Sequence, residues 1–318
     1  MAVLVTGAAG FIGSHLCERL VANDTETIGV DNFDVFYSAE QKKENLRNLL
    51  RRPKFKFLEL DVRSTRQLSR VFSSHQIERI VHLAGRGGVI HSTKRPFQYL
   101  NENIKGTLAL LESCRRSHIE AFISASSSSV YGEIGQQLCT ETRYTDHPAS
   151  IYAASKKCAE MMAHAYHVLC DMPVVNVRFF SVYGPRGRPD QVIYRMTRFI
   201  DEGREIEWIE PEPKRDFTYI DDIVDGLVAM LAAPALSYHT VNLGYGAPES
   251  ISRVIGLIEQ ALGKKAKIGK SVRRLPYDVS ASHADITQAA ELLGWRPNVP
   301  LAEGVPKFVG WYLNERRH

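Results

Sequence analysis

Tyr152 and Lys156 stand four residues apart in Tyr152-Ala153-Ala154-Ser155-Lys156. A helix over this stretch places both side chains on one face, one turn apart. A phenol beside an ammonium is stabilised as the phenolate, which draws its pKa down from ~10 toward working pH and suits it to act as base and then acid. A second group of hydroxyls lies upstream, where an apolar run enters Ser124-Ala125-Ser126-Ser127-Ser128-Ser129-Val130-Tyr131-Gly132. Such a cluster at the carboxyl end of a strand sits where α/β sheets bind their ligands.

The third feature is Gly7-Ala8-Ala9-Gly10-Phe11-Ile12-Gly13, between a first strand and a first helix. Glycine is needed there because a Cβ blocks close approach to a pyrophosphate, and the helix N-terminus supplies oriented N–H donors. The second strand ends in Asp31-Asn32, and 31 − 13 = 18 residues separate Asp31 from the last glycine, near the ~20 of a dinucleotide-binding βαβ unit. A carboxylate there accepts from both ribose hydroxyls and repels a 2′-phosphate, so the expected cofactor is NAD rather than NADP. Asp61-Val62, ending the third strand, is expected near the adenine, and Leu83-Ala84-Gly85, ending the fourth, over the cofactor. His82, just before it, is read as a packed structural histidine.

These groups need a scaffold, and the first half of the chain alternates short β-branched runs with helical patterns, the signature of a parallel sheet flanked by helices. Strands are expected at 3–6, 27–31, 56–60, 79–83, 121–125 and 174–178, and helices at 11–21, 65–73, 96–117 and 152–170. The expected class is α/β: a Rossmann-type doubly wound parallel sheet with a smaller C-terminal substrate-binding α/β domain. The boundaries are 1–183 for the dinucleotide domain and 184–318 mainly for the substrate domain, with the chain returning to the first at about 216–245, where 217–232 again reads as strand end plus helix.

Composition sets outer bounds. The 318 residues are 44% hydrophobic and 24% charged with a formal charge of +4, an ordinary globular balance that implies neither long disordered tracts nor nucleic acid. The densest basic run, Arg51 to Lys54, is interrupted by Pro53 and reads as a solvated helix end. Five cysteines show no CxxC pair, so free buried thiols, a reducing compartment and no metal site are expected. No apolar run approaches the ~20 residues of a membrane span, and the N-terminus enters a strand without a basic leader segment. A cytoplasmic protein is expected.

Together these motifs resemble the extended short-chain dehydrogenase/reductase family, over nearly the whole chain. In that family the hydroxyl three residues before the Val of Val130-Tyr131-Gly132 completes a Ser/Thr-Tyr-Lys triad, which implies Ser127, Tyr152 and Lys156 here. Tyr152 is then base and acid, Lys156 holds the phenolate and the nicotinamide ribose, and Ser127 orients the sugar hydroxyl. The implied cofactor contacts are Gly7, Gly10, Phe11, Ile12, Gly13, Asp31, Asn32, Asp61, Val62, Leu83, Ala84, Gly85, Tyr152, Lys156 and Phe179.

Within the family the chain is most similar to UDP-glucuronate 4-epimerases, through His147 to Tyr152, Met161 to His164, Arg178 to Pro185, Arg188-Pro189-Asp190 and Lys214 to Asp222. The resemblance implies that Arg215 clamps the diphosphate and that Ser181 and Arg188 meet the uronate carboxylate, with Ser127, Ser128 and Asp278 also at the substrate. It implies a homodimer through the helices around 96–117 and 152–170. Three stretches depart from the pattern. Ala84-Gly85-Arg86-Gly87-Gly88-Val89-Ile90 replaces Ala-Ala-Gln-Ala-Gly-Val-Arg, Glu210-Pro211-Glu212-Pro213 replaces a glycine-rich turn, and Tyr277-Asp278 replaces Gly-Asp.

Ser128 and Ser129 stand where related 4,6-dehydratases carry Asp-Glu and where uronate decarboxylases carry Glu, so the usual proton carriers for those reactions are missing. The expected reaction is epimerisation at C4 of a UDP-sugar, UDP-glucuronate to UDP-galacturonate, through a 4-keto intermediate. The alternatives are a UDP-glucose or UDP-N-acetylglucosamine 4-epimerase, a decarboxylase or dehydratase, and a non-catalytic NAD-binding sensor.

Overall fold

The structure is a computed structural model, and it describes residues 2–233 and 237–315. Residues 1, 234–236 and 316–318, which fall within the expected domain spans, lie outside the described residues. Among the described residues there are twelve strands: β1 Ala2–Thr6, β2 Glu26–Asp31, β3 Phe55–Glu59, β4 Ile77–His82, β5 Ala121–Ser127, β6 Val174–Phe179, β7 Ser181–Tyr183, β8 Glu205–Glu210, β9 Lys214–Tyr219, β10 Tyr238–Leu243, β11 Pro248–Ser250 and β12 Lys267–Arg273. Seven form one sheet in the order β10-β6-β5-β4-β1-β2-β3, and every pair in it is parallel. This is the doubly wound Rossmann order with one strand added beside β6. Strands β1 and β6 are buried along their whole length, as their continuous apolar runs require when helices cover both faces.

The order reverses between β1 and β4, which opens a crevice at the carboxyl ends of the strands. The two faces of the sheet bury separate cores, one around Leu16, Val81, Val177 and Leu227, the other around Leu4, Ile80, Leu110 and Phe122. Chain beyond β6 covers the crevice. A mixed sheet of β11-β9-β7 and a β12-β8 pair carry it, while the Ile220–Ala232 helix and β10 rejoin the large sheet.

Two buried carboxylates organise this return. Asp216 is fully buried and accepts from the backbone N–H groups of Tyr245 at 2.6 Å, Gly246 at 2.9 Å and Ala284 at 3.0 Å. Asp222 accepts from Asn298 and Val299 at 2.9 and 3.0 Å. Charge-assisted bonds of this kind offset the desolvation of a buried carboxylate. The acidic residues of the Lys214-to-Asp222 string therefore tie distant segments of the chain together.

The expected helix at 96–117 is broken. It runs as Pro96–Tyr99, a π-helical turn Leu100–Lys105, and Gly106–Cys114. In the widened turn Asn103 turns its amide onto the loop after β4: its Oδ1 accepts from Arg86 N–H at 2.7 Å, and its Nδ2 donates to Arg86 O at 3.0 Å and Ser155 Oγ at 2.9 Å. Single π turns are frequent at functional sites. The Ile151–Cys170 helix begins at Ser150, whose Oγ accepts from Ala153 N–H at 3.1 Å. Behind it Glu160 takes Arg178 bidentately at 2.9 Å and accepts from Ser126 Oγ at 2.6 Å, which fixes β5 and β6 against the helix that carries Tyr152.

Candidate active site

The crevice is a cleft of about 470 Å³ that runs from Asp31 and Asp61 at one end, past Gly10 and Gly13, to Ser127 and Tyr152. Gly7 turns the chain at φ +71°, and a Cβ on Gly13 would lie 2.1 Å from Gly7 O. The helix that follows, Phe11–Ala22, thus approaches the turn more closely than any side chain permits, and its first turn has no acidic residue. Its free N–H groups suit an anion. Asp31 is held at the end of β2 by Ala9 N–H at 3.1 Å and Phe33 N–H at 2.8 Å. Burial raises its pKa, and the charge of Lys42 draws it back.

His82 sits beneath the cleft, 3% exposed, between Thr6 Oγ1 at 2.7 Å and Thr107 Oγ1 at 3.0 Å. Burial pushes its pKa down to about 3, so it packs as a neutral ring.

At the other end Tyr152 faces Ser127, whose Oγ also accepts from Ser129 N–H at 3.2 Å. Burial lifts the phenol above its usual range; the Ser127 hydrogen bond and the charge of Arg188 draw it down. The Lys156 ammonium donates to Ala125 O at 2.8 Å. Burial, with a contribution from Arg188, lowers Lys156 to about 8. The Tyr99 ring stands edge-on to Tyr152 at 6.1 Å, with its hydroxyl 2.6 Å from Gly87 O and 2.9 Å from Gly88 O.

The arrangement answers to a known architecture. Residues 3–244 match the model of the NAD dependent epimerase/dehydratase family. The chain belongs to this family. It is an NAD-dependent epimerase/dehydratase-family enzyme with a Rossmann-like fold, and NAD is its cofactor. It is 38% identical to a UDP-glucuronate 4-epimerase of Thermodesulfobacterium geofontis, over 97% of this chain and 95% of that one. Its backbone is similar to that of a UDP-glucuronic acid 4-epimerase from Bacillus cereus solved with UDP-glucuronic acid and NAD (TM-score 0.94, 34% identity, 99% and 100% coverage). A UDP-glucose 4-epimerase from Thermotoga maritima solved with UDP-glucose is also similar (TM-score 0.89, 30% identity, 99% and 100% coverage).

Of the residues singled out in the sequence, all but Ser128 and Asp278 line the cleft of this family member. Ser128 instead opens the Ser128–Tyr131 turn, and Asp278 lies behind Arg215, taking its Nη2 at 2.6 Å. Residues that local spacing did not reveal also line it. Lys42 is 7% exposed and donates to Asp34 O. Arg86, the departure from the usual string, is bound by Glu102 (Nε–Oε2 2.7 Å, Nη2–Oε1 2.9 Å) and by Asp34 at 2.7 Å. These carboxylates take its Nε and Nη2, and it ties the loops after β2 and β4 to the π turn. Phe36 lies between two guanidiniums, with Arg86 Cζ 5.0 Å and Arg188 Cζ 5.6 Å from its ring centre. The signal for these residues is pairing across the fold, which one sequence does not display.

Proposed function

We propose that this enzyme interconverts UDP-glucuronate and UDP-galacturonate by epimerisation at C4. The observation that carries this reading is that Tyr152, Ser127 and Arg188 line one cleft that continues to Asp31. Gly10, Gly13, Asp31 and Lys156 would hold the dinucleotide. When bound, NAD supplies the acceptor and then the donor of the C4 hydride. Tyr152 takes the C4 hydroxyl proton and later returns it; Ser127 orients that hydroxyl. Arg188 gives the sugar carboxylate a planar bidentate partner that a neutral hydroxymethyl cannot use as well. Arg215 clamps the diphosphate.

Ser128 and Ser129 leave the cleft without the Asp-Glu pair of a dehydratase, which supports the redox-neutral path. Met161, Val168 and Leu169 on one helix and Phe97 and Leu100 on the neighbouring one are exposed. This apolar face supports a homodimer. Among the described residues no helix is long and apolar enough to cross a membrane, and the five cysteines are unpaired, in keeping with a cytoplasmic location.

The test is incubation with UDP-glucuronate, without added NAD, and detection of the 4-epimer by NMR. Tyr152→Phe is expected to lower turnover by at least about 10³-fold while the protein still carries NAD. Turnover of UDP-glucose but not UDP-glucuronate would reassign the substrate.

A further inference from the structure

Arg188 is constrained on three sides. Asp190 takes the guanidinium along one edge, Nε to Oδ1 at 2.9 Å and Nη2 to Oδ2 at 3.0 Å. One face lies over Phe36. Against it stands Gly87, where a Cβ would come within 2.9 Å of Nη2 and 3.1 Å of Nη1. The backbone is pinned as well, since Arg188 N–H donates to Gln191 Oε1 at 2.9 Å and Gln191 Nε2 donates to Val182 O at 3.1 Å.

A guanidinium carries five N–H groups in a rigid plane. Asp190 uses two of them, and among the described residues no partner takes the Nη1 pair. The edge formed by Nη1 and the second N–H of Nη2 therefore remains for a ligand, in a cleft that Arg188, Asp190 and Tyr152 all line. That edge is itself a bidentate fork.

We propose that Asp190 is a positioning residue for substrate selection: it locks Arg188 side-on so that the Nη1/Nη2 edge faces the acidic group of the sugar, and Gly87 leaves the room the locked guanidinium needs. The inference rests on the reading of Arg188 as the carboxylate partner. It accounts for a carboxylate placed beside a site meant for another carboxylate. The Arg188–Asp190 pair is close to neutral, so selection rests on the fork's geometry rather than on net positive charge. A free arginine on this loop would swing among rotamers, and ordering it on binding would cost affinity. Gly87 stands where the related string has alanine, and a Cβ there would come within 2.9 Å of the guanidinium.

The holoenzyme tests this through the affinities for UDP-glucuronate and UDP-glucose, measured by calorimetry, with kcat and KM for UDP-glucuronate alongside. Asp190→Asn keeps the shape but turns an N–H group toward the guanidinium and breaks the two-point lock. It is expected to weaken UDP-glucuronate about tenfold while UDP-glucose binding stays within about twofold, with KM rising more than kcat falls. Gly87→Ala changes no charge, and it is expected to weaken UDP-glucuronate about threefold, again sparing UDP-glucose. UDP-glucuronate binding to either variant as tight as to the wild type, or tighter, would overturn the proposal. Arg188→Met separates the two claims. If it leaves the ratio of the two affinities unchanged, the carboxylate role of Arg188 falls; if it collapses the ratio while the other variants do not, only the positioning role falls.

Discussion

Along the side of the cleft proposed for the dinucleotide, the groups that face it are backbone N–H groups and strand-end side chains fixed by β1, β2 and β4. Along the side proposed for the sugar they are arginines on long side chains, and each is already held by a carboxylate: Arg188 by Asp190, Arg215 by Asp278. Arg86, which meets the cleft between the two, is bound by both Asp34 and Glu102. One side is rigid because its donors belong to the main chain, so steric change there is expected to be catastrophic. The other is assembled from ion pairs, so loss of a group should weaken one ligand and leave the cofactor in place.

The largest effect is expected at Gly13. Gly13→Ala drives a methyl group to 2.1 Å from Gly7 O, which only backbone movement relieves, at a cost of at least about 3 kcal/mol. Protein purified from this variant should carry little NAD and melt at least about 6 °C lower. Gly256→Ala is the control, for a Cβ there meets nothing within 4 Å. In a helix that exchange favours the fold by up to about 1 kcal/mol. A Gly13→Ala protein that still carries NAD in full would show that the turn is looser than its geometry implies.

This contrast also decides what was legible in the sequence. Gly7, Gly10, Gly13 and Asp31 announce themselves because their spacing is set by strand, turn and helix, and sequence distance is then nearly spatial distance. Tyr152 and Lys156 are legible by the same argument within one helix. The π turn at Leu100–Lys105 is not, since it depends on Asn103 reaching a loop 17 residues upstream. Nor are the partners of Arg86 and Arg215, which lie 52 and 63 residues away in Asp34 and Asp278. Local pattern encodes periodicity and turns; it does not encode which charges meet across a cleft.

Arg215 sharpens the comparison from the sugar side. Its side chain is 13% exposed, lines the cleft and spends one N–H on Asp278. If Arg215 clamps the diphosphate as proposed, Arg215→Ala should raise the KM for the nucleotide sugar about 10–100-fold. NAD content should stay within error of the wild type. A parallel loss of NAD would mean that the two sides are mechanically coupled, and that the division drawn above is wrong.

The last test falls where the two sides meet, at Lys156. Its ammonium is buried with Ala125 O as its hydrogen-bond partner, and burial lowers its pKa from 10.5 to about 8. Below about 8 both folded and unfolded chains hold the proton, so folding bears the full cost of burying the charge, on the order of 3 kcal/mol. Between about 8 and about 10.5 the folded protein has lost the proton and the unfolded chain still holds it. The unfolded state then binds more protons, and stability rises with pH across that window. In the absence of dinucleotide, Lys156→Met should therefore melt a few degrees above the wild type at neutral pH, and the gap should close as the pH rises toward about 10.5. A gap that stays constant across this range would show that the ammonium is not buried at a cost, and the lysine would then belong with the well-compensated charges of the sugar side.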